Sequence, residues 1–144
     1  MSKNKGETKM SWLDVNMGDI VDPKCLGDGT EVQFQVVDVE QVGVNAKGEE
    51  KNYVKVELEL LAEGGPWQNV MTFINFPRSN DDGTKTNNKK RMLRDFAKAI
   101  DLPQEMISQP DSWIGKGGYG IVGFEDDPNF GKRNTIKRYL TPGA

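Results

Sequence analysis

Residues 53–60, Tyr-Val-Lys-Val-Glu-Leu-Glu-Leu, decide the fold class. Apolar side chains alternate with polar ones along the whole stretch, and a period of two is the spacing of a β-strand with one buried face. The tyrosine, the lysine and the two glutamates are predicted to face outward. The side chains predicted to face the core are Val54, Val56, Leu58 and Leu60.

Two further strand patterns flank this stretch. Residues 30–36 alternate in the same way, and the alternation then changes parity at Val37, which predicts a β-bulge near that residue. Residues 67–76 form the third pattern, after a turn at Gly64-Gly65-Pro66. The three segments predict a meander of consecutive strands.

The hydrophobic period changes after the third strand. We predict a polar loop over residues 78–88 and then a helix over about 88–100, capped by Asn87 or Asn88. Residues 119–124 and 134–140 read as two more strands, joined by a long loop over residues 126–131. This order is that of an OB-fold. The sequence therefore predicts a mainly β protein, a five-stranded OB-fold barrel with one helix between strands 3 and 4.

The length of 144 residues fits one domain. Residues 1–10 are polar and predict a disordered N-terminal tail, followed by a single OB-fold domain over 11–144 in which Trp12 and Leu13 pack back on the core. The single cysteine, Cys25, excludes an intramolecular disulfide. No apolar run has the length of a membrane span or a signal peptide, so we expect a cytoplasmic protein with no membrane contact.

The composition argues against an enzyme. The chain has no histidine, which removes the commonest general base and the commonest zinc ligand. Residues 125–127, Glu-Asp-Asp, lack the spacing of a calcium loop and are interpreted as solvated. We expect no catalytic residue, no metal and no cofactor.

Residues 115–120 formally match the dinucleotide motif G-x-G-x-x-G, but a strand pattern follows them where a helix is needed. Two alternatives stay open for these glycines. They permit a sharp bend where the strand starts, or they allow close approach of a ligand with Lys116 beside a phosphate.

Charge is unevenly distributed within a net charge of −3. Residues 14–63 carry twelve acids and four lysines, whereas residues 78–98 carry seven bases and three acids. Either the molecule has one polarised face, or the charges are ordinary scatter on solvated surfaces. If the positive side binds phosphates, the acidic stretch should lie mostly away from the binding cleft.

Single-stranded nucleic acid requires a positive groove and exposed aromatic rings. Three parts of the chain supply basic and aromatic side chains. They are the outward residues of strand two, the loop between strands four and five, and strand five, where Lys137 and Tyr139 are predicted to share one face. In an OB-fold the strand 2–3 face and the loops between strands 1–2 and 4–5 line the cleft. The alternative is that the tyrosines cover the barrel ends and Phe130 folds under its loop. The predicted nucleic-acid-binding residues are Tyr53, Lys55, Lys116, Tyr119, Phe130, Lys132, Arg133, Lys137 and Tyr139.

Four segments carry a resemblance to a known family: Gly29-Thr30-Glu31, residues 54–60, Gly115-Lys116, and residues 134–140, Asn-Thr-Ile-Lys-Arg-Tyr-Leu. Over residues 29–140 the layout resembles a phage-encoded family of small OB-fold single-stranded DNA-binding proteins from replication and recombination modules. Many bacterial single-strand-binding proteins recruit partners through an acidic tail. This chain ends Thr141-Pro142-Gly143-Ala144, so such recruitment is not expected.

The resemblance implies a non-catalytic, sequence-tolerant single-stranded DNA-binding protein of phage DNA replication or recombination, in the cytoplasm of an infected bacterial host. Its partners would be single-stranded DNA and replication or recombination proteins. The alternative is an OB-fold protein-interaction or structural module that binds no nucleic acid, which the acidic first half favours. The oligomeric state and the choice between DNA and RNA stay open.

Overall fold

The computed structural model describes residues 12–15, 17–129 and 131–141, and the predicted tail at residues 1–10 lies outside them. The described residues form one five-stranded antiparallel sheet and one α-helix, which confirms the mainly β prediction and the helix between strands three and four. The elements are β1 Glu31–Val44, β2 Glu50–Leu60, β3 Val70–Asn75, α1 Gly83–Ala99, β4 Gly117–Asp127 and β5 Gly131–Leu140. Short 3-10 helices lie at Met17–Asp19, Gln104–Met106 and Pro110–Trp113.

The strand order is β3-β2-β1-β4-β5, so β3 and β5 are the two edges of the sheet. The sheet curls until these edges lie beside each other, without a backbone ladder between them in the described residues. The Tyr139 hydroxyl on β5 donates to the Thr72 hydroxyl on β3 over 3.4 Å. The hydrogen bond described across this seam is therefore made by side chains, not by the backbones of the two strands.

The predicted bulge in β1 is confirmed. The ladder passes from Val36 opposite Leu58 to Asp38 opposite Glu57, which leaves Val37 as the extra residue. A bulge bends its strand and increases its twist. The strand pairs with β4 over residues 31–35 and with β2 from residue 34 onward, so the bend lies within its β2-paired part.

The core lies inside the curled sheet. The four apolar residues predicted to face inward on β2 are all buried, and Phe34 of β1 is buried opposite them. Helix α1 adds Phe96, and its C-cap adds Ile100; both are fully buried. Trp113 is buried beside Phe96 and donates its indole N–H to the Met106 carbonyl over 3.0 Å. The helix and the 3-10 segments therefore cover the sheet's apolar interior.

Helix α1 begins at Gly83 rather than near residue 88, so the predicted polar loop and the predicted caps are wrong. The Asp82 carboxylate accepts from the Lys85 N–H over 2.8 Å and is the N-cap. The neighbouring Asp81 side chain, only 2% exposed, accepts from Lys89 Nζ over 2.6 Å. It also accepts from the Arg78 N–H over 2.9 Å. An N-cap aspartate satisfies a free N–H of the first turn, so the helix starts there.

The connection between β4 and β5 is also shorter than predicted. Asp126 pairs with Lys132 and Asp127 with Gly131, so residues expected in a long loop belong to the ladder. Gly131 has a φ of 79°, which suits glycine and allows the chain to reverse at once. The two strands therefore form a long hairpin that reaches the seam with β3.

The lead-in before β1 joins the fold at two points. Lys24 bridges to Trp67, and Leu26 is held by the buried Asn134 side chain on β5. The Asn134 side-chain oxygen Oδ1 accepts from the Leu26 N–H over 2.7 Å, and the side-chain Nδ2 donates to the Leu26 carbonyl over 3.0 Å. The expectation that Trp12 packs on the core is wrong, because its side chain is 86% exposed.

Candidate nucleic-acid interface

The outward face of β2 and β3 carries two of the predicted residues together with a third that the prediction omitted. Tyr53 and Lys55 point outward, as their alternation with the buried Val54 requires. Phe73 of β3 lies opposite Lys55 in the ladder and is 53% exposed. Its ring meets the Tyr53 ring edge to face, with centroids 5.5 Å apart. The exposed Phe73 ring, packed against the half-buried Tyr53, therefore stands beside a lysine.

The β4–β5 hairpin brings Arg133 to the same place. A groove of about 420 Å³ runs along the seam between β3 and β5, and we call it the β3–β5 groove. Arg133 also forms an ion pair with Asp127 at 3.2 Å. The structure thus brings two predicted bases, Lys55 and Arg133, into one groove. The groove is lined by Lys55, Met71, Thr72, Phe73, Glu125, Arg133, Asn134 and Thr135.

Lys132 lies on the opposite face of β5, since neighbouring residues of a strand alternate. Its ammonium stands 4.5 Å from the centre of the Phe124 ring, which is 40% exposed. This is a cation–π contact. The structure therefore does not place Lys132 and Arg133 in one groove, although both remain near the hairpin end.

A second cavity, of about 500 Å³, adjoins the hairpin and shares Arg133 with the β3–β5 groove. Pro23, Trp67 and Asn69 also line it. The Lys24 ammonium lies 5.2 Å from the centre of the Trp67 ring. Aromatic and basic side chains therefore continue past the groove to the lead-in segment.

The prediction that Tyr139 shares a face with Lys137 is wrong. The β4–β5 ladder passes from Val122 opposite Ile136 to Ile121 opposite Arg138, which skips Lys137. This irregularity turns the tyrosine inward, where its ring meets Phe34 at 5.8 Å and Phe96 at 5.3 Å. Burial raises the pKa of the Tyr139 hydroxyl, and the hydrogen bond to Thr72 opposes that rise. Tyr139 is partly buried and packs against the core.

Lys137 lies over Gly123 of the neighbouring strand, where its aliphatic stem occupies the space of a side chain. Its ammonium is 3.4 Å from the Asp28 carboxylate. Lys137 therefore forms an ion pair within the protein, and its predicted contact with phosphate stays a prediction.

Lys116 and Tyr119 lie at the far end of the hairpin. Tyr119 is 47% exposed and pairs with Leu140, six positions before Glu125 on the same strand. At roughly 3.3 Å per residue that separation is about 20 Å. Lys116 is half-buried just before β4, and its carbonyl accepts from the Val36 N–H over 2.8 Å. Neither residue lines the β3–β5 groove.

Gly117 and Gly118 of the motif at residues 115–120 allow close internal packing. A Cβ on Gly117 would lie 2.7 Å from the Phe34 carbonyl oxygen, and one on Gly118 would clash with the Ala99 carbonyl at the end of α1. A strand follows the motif, so the dinucleotide interpretation is excluded. The structure favours close approach of the protein's own backbone over approach of a ligand.

Acidic side chains lie closer to the candidate surface than expected. Glu40 stands opposite Lys55 in the β1–β2 ladder, and Glu57 stands opposite Asp38 on the same outward face. Glu125 lines the β3–β5 groove itself. The expectation that the acidic stretch, residues 14–63, lies away from the cleft is therefore wrong, because Glu40 of that stretch stands beside Lys55.

Four residues near the groove are absent from the predicted set: Phe73, Phe124, Trp67 and Lys24. Alternation could have found Phe73, because the apolar Val70 and Ile74 of β3 fix the opposite parity. Nothing in the sequence pairs Lys24 with Trp67, which lie far apart in the chain. Phe130 lies outside the described residues, and its stacking role stays a prediction.

Comparison with protein-family models finds no match, and comparison with curated proteins finds none either. Among the described residues no group of three His, Cys, Asp or Glu side chains is placed to hold a metal ion. No helix in the described part of the chain is both long and apolar enough to cross a membrane.

Proposed function

We propose that this protein binds single-stranded DNA through the β3–β5 groove, without catalysis and with little sequence preference, in phage DNA replication or recombination. The observation that supports this most is the exposed Phe73 ring beside Lys55 and Arg133 in one groove. Nucleobases stack on exposed rings whatever their sequence, and bases along the groove neutralise phosphates.

The roles follow from the contacts. Phe73 offers its ring for stacking, and Tyr53 supports that ring edge to face at 5.5 Å. Lys55 and Arg133 lie on two sides of the groove and contact the sugar-phosphate backbone. Lys132 contacts phosphate at the hairpin end, next to Phe124. Lys116 and Tyr119 contribute little under this proposal because they lie at the far end of the hairpin, outside the groove. Lys137 contributes little because its ammonium faces the Asp28 carboxylate.

We also propose that β3 and β5 complete an OB-fold barrel. Their adjacency and the contact of Tyr139 with Thr72 support this closure. The β3–β5 groove then lies where OB-folds bind ligands, on the strand 2–3 face beside the loop between strands 4 and 5. Amide hydrogen exchange tests the closure: in a closed barrel the N–H groups of β3 that face β5 exchange slowly. Fast exchange of those amides would leave an open sheet.

The second candidate, a protein-interaction module that binds no nucleic acid, is favoured by the acidic outward face of β1 and β2. Asp38 stands opposite Glu57 there, and Glu40 lies beside them. Such a surface repels phosphates.

Titration of fluorescent oligo-dT, with unlabelled duplex as competitor, separates the two candidates. Binding to DNA requires saturable oligo-dT binding that duplex competes for poorly. If Lys55, Lys132 and Arg133 each contact one phosphate, the slope of log affinity against log salt is about −2, at roughly −0.7 per phosphate. No binding at low salt would reject this proposal and leave the protein-interaction module.

A further inference from the structure

The first part of the lead-in, which we call segment 12–22, exposes an unusual amount of apolar surface in its described residues, 12–15 and 17–22. Six large apolar side chains in it are exposed, whereas a small domain ordinarily buries such residues or covers them with a partner. The segment also contains three aspartates and no lysine or arginine. It is therefore both apolar and acidic. The exposed apolar residues are Trp12, Leu13, Val15, Met17, Ile20 and Val21.

Helix α1 carries a surface with the opposite charge. A groove of about 570 Å³ lies between the outward side of α1 and the segment that follows it, and we call it the α1 groove. Leu93, Leu102 and Ile107 give it an apolar floor, while three bases, Lys90, Arg94 and Lys98, line it as well. No acidic residue is among those lining it.

We propose that residues 12–22 of one copy of this chain dock in the α1 groove of a second copy. The apolar side chains of the segment would cover the apolar floor, and its aspartates would meet the lysines and the arginine. The fit in length is adequate: eleven residues span at most roughly 36–40 Å when fully extended, and less with the 3-10 turn at Met17–Asp19. Helix α1, with 17 residues, is about 25 Å long.

The structure favours docking between copies over docking within one chain. Trp12 is largely exposed in the single chain, and Lys24 and Leu26 tie the end of the segment to Trp67 and Asn134. If two copies exchange segments reciprocally, the contact closes as a symmetric dimer. The bases of the α1 groove are not those of the β3–β5 groove, so this inference does not depend on DNA binding.

Sedimentation of the DNA-free protein over a wide range of concentration tests the proposal. We expect a concentration-dependent dimer. Substituting the groove, Lys90→Glu with Lys98→Glu, should weaken association about tenfold or more, because each change removes an interfacial attraction and adds a repulsion. Substituting the segment, Trp12→Ser with Ile20→Ser, should do the same by removing apolar anchors. The charge-matched control is Lys47→Glu with Lys85→Glu, two exposed lysines outside the groove, and it should associate like the wild type.

Mixing the groove variant with the segment variant is the decisive arm. Between them they hold one intact segment and one intact groove, so a mixed dimer should form although neither variant dimerises well alone. Trp12 of the groove variant should shift its fluorescence to shorter wavelength on mixing, because it leaves water. A wild type that stays monomeric, variants that associate like the wild type, or a mixture that stays monomeric would each overturn the proposal.

Discussion

The β3–β5 groove and the α1 groove are both lined by bases, but the neighbours of those bases differ. Lys55 and Arg133 stand beside the exposed Phe73 ring, whereas Lys90 and Lys98 stand beside aliphatic side chains. A ring face stacks nucleobases, while an aliphatic floor accepts apolar peptide side chains. The side chains next to a cation, more than the cation itself, therefore decide which ligand a basic groove fits.

The two grooves also differ in their acids. Glu125 lines the β3–β5 groove, whereas no acid lines the α1 groove. The arginine of each groove is paired with an acid beside it, Arg133 with Asp127 and Arg94 with Asp95. Charge alone would thus select the helix as the nucleic-acid surface. Four predictions break or sharpen this distinction.

The largest effect is expected from Phe73→Ala. A stacked base is worth roughly 1–3 kcal/mol, so oligo-dT affinity should fall about fivefold to a hundredfold. Tyr119→Ala is the matched control, an exposed aromatic about 20 Å along the hairpin, and it should change affinity little. Equal losses in both variants, or no loss in either, would contradict the placement of the site in the β3–β5 groove.

Lys132→Ala combined with Arg133→Ala should flatten the salt dependence. Two lost phosphate contacts at roughly 0.7 each reduce the slope by about 1 to 1.5 units. The pair Lys90→Ala and Lys98→Ala removes the same charge from the α1 groove and should leave the slope unchanged. If the helix pair flattens the slope instead, DNA runs along α1 and the comparison above is reversed.

Glu125→Gln should strengthen oligo-dT binding about two- to threefold at low salt. Its carboxylate lines the groove, and removing a like charge from the path of the phosphates lowers repulsion by roughly half a kcal/mol at 8 Å in water. Glu105→Gln, at an exposed acid in a 3-10 helix, is the control and should have no effect. A weaker complex for Glu125→Gln would mean that the carboxylate positions Arg133 rather than opposing DNA.

The smallest effect concerns pH and α1. The pKa of Asp81 is lowered from its ordinary value of 3.8, first by the hydrogen bond from the Arg78 N–H and then by Lys89. A lowered folded-state pKa contributes stability that is complete above 3.8 and is lost as pH falls through the folded value. The melting temperature of the wild type should therefore fall more below that pH than the melting temperature of Asp81→Asn.

Asp82→Asn is the control for this pH measurement, since asparagine also caps a helix. It should keep the wild-type pH dependence that Asp81 provides. A parallel decline in the wild type and in Asp81→Asn would show that this carboxylate does not anchor the start of the helix.

Alternation of apolar and polar residues predicted the strand faces and the bulge, which depend on neighbours along the chain. Alternation fixed the outward side of Lys55 on β2, and the parity change at Val37 located the bulge. The predicted face of Tyr139 is wrong because the irregularity at Lys137 reverses the parity of the residues that follow it in β5. No residue type in the sequence marks the position of that irregularity. The helix start was misplaced because two good caps, Asp82 and Asn87, stand within one stretch and the fold uses the first.

The two grooves could not be predicted from the sequence. The β3–β5 groove exists because two strands from distant parts of the chain become neighbours at the seam. Alternation can predict that Phe73 and Arg133 point outward, but not that they line the same groove. The sequence therefore predicted Lys55 and Arg133 as members of the site and could not predict which of the other candidates join them.

Asn134 acts as a substitute for a missing strand. A side-chain amide has the same donor and acceptor as a peptide unit, and this one bonds both the N–H and the C=O of Leu26 while also donating to the Gly123 carbonyl over 3.1 Å. It imitates the backbone of a neighbour in a ladder. One buried side chain thus joins the lead-in to the hairpin through three hydrogen bonds. An isosteric aspartate there would lose both donated bonds and leave two carbonyl oxygens facing a carboxylate.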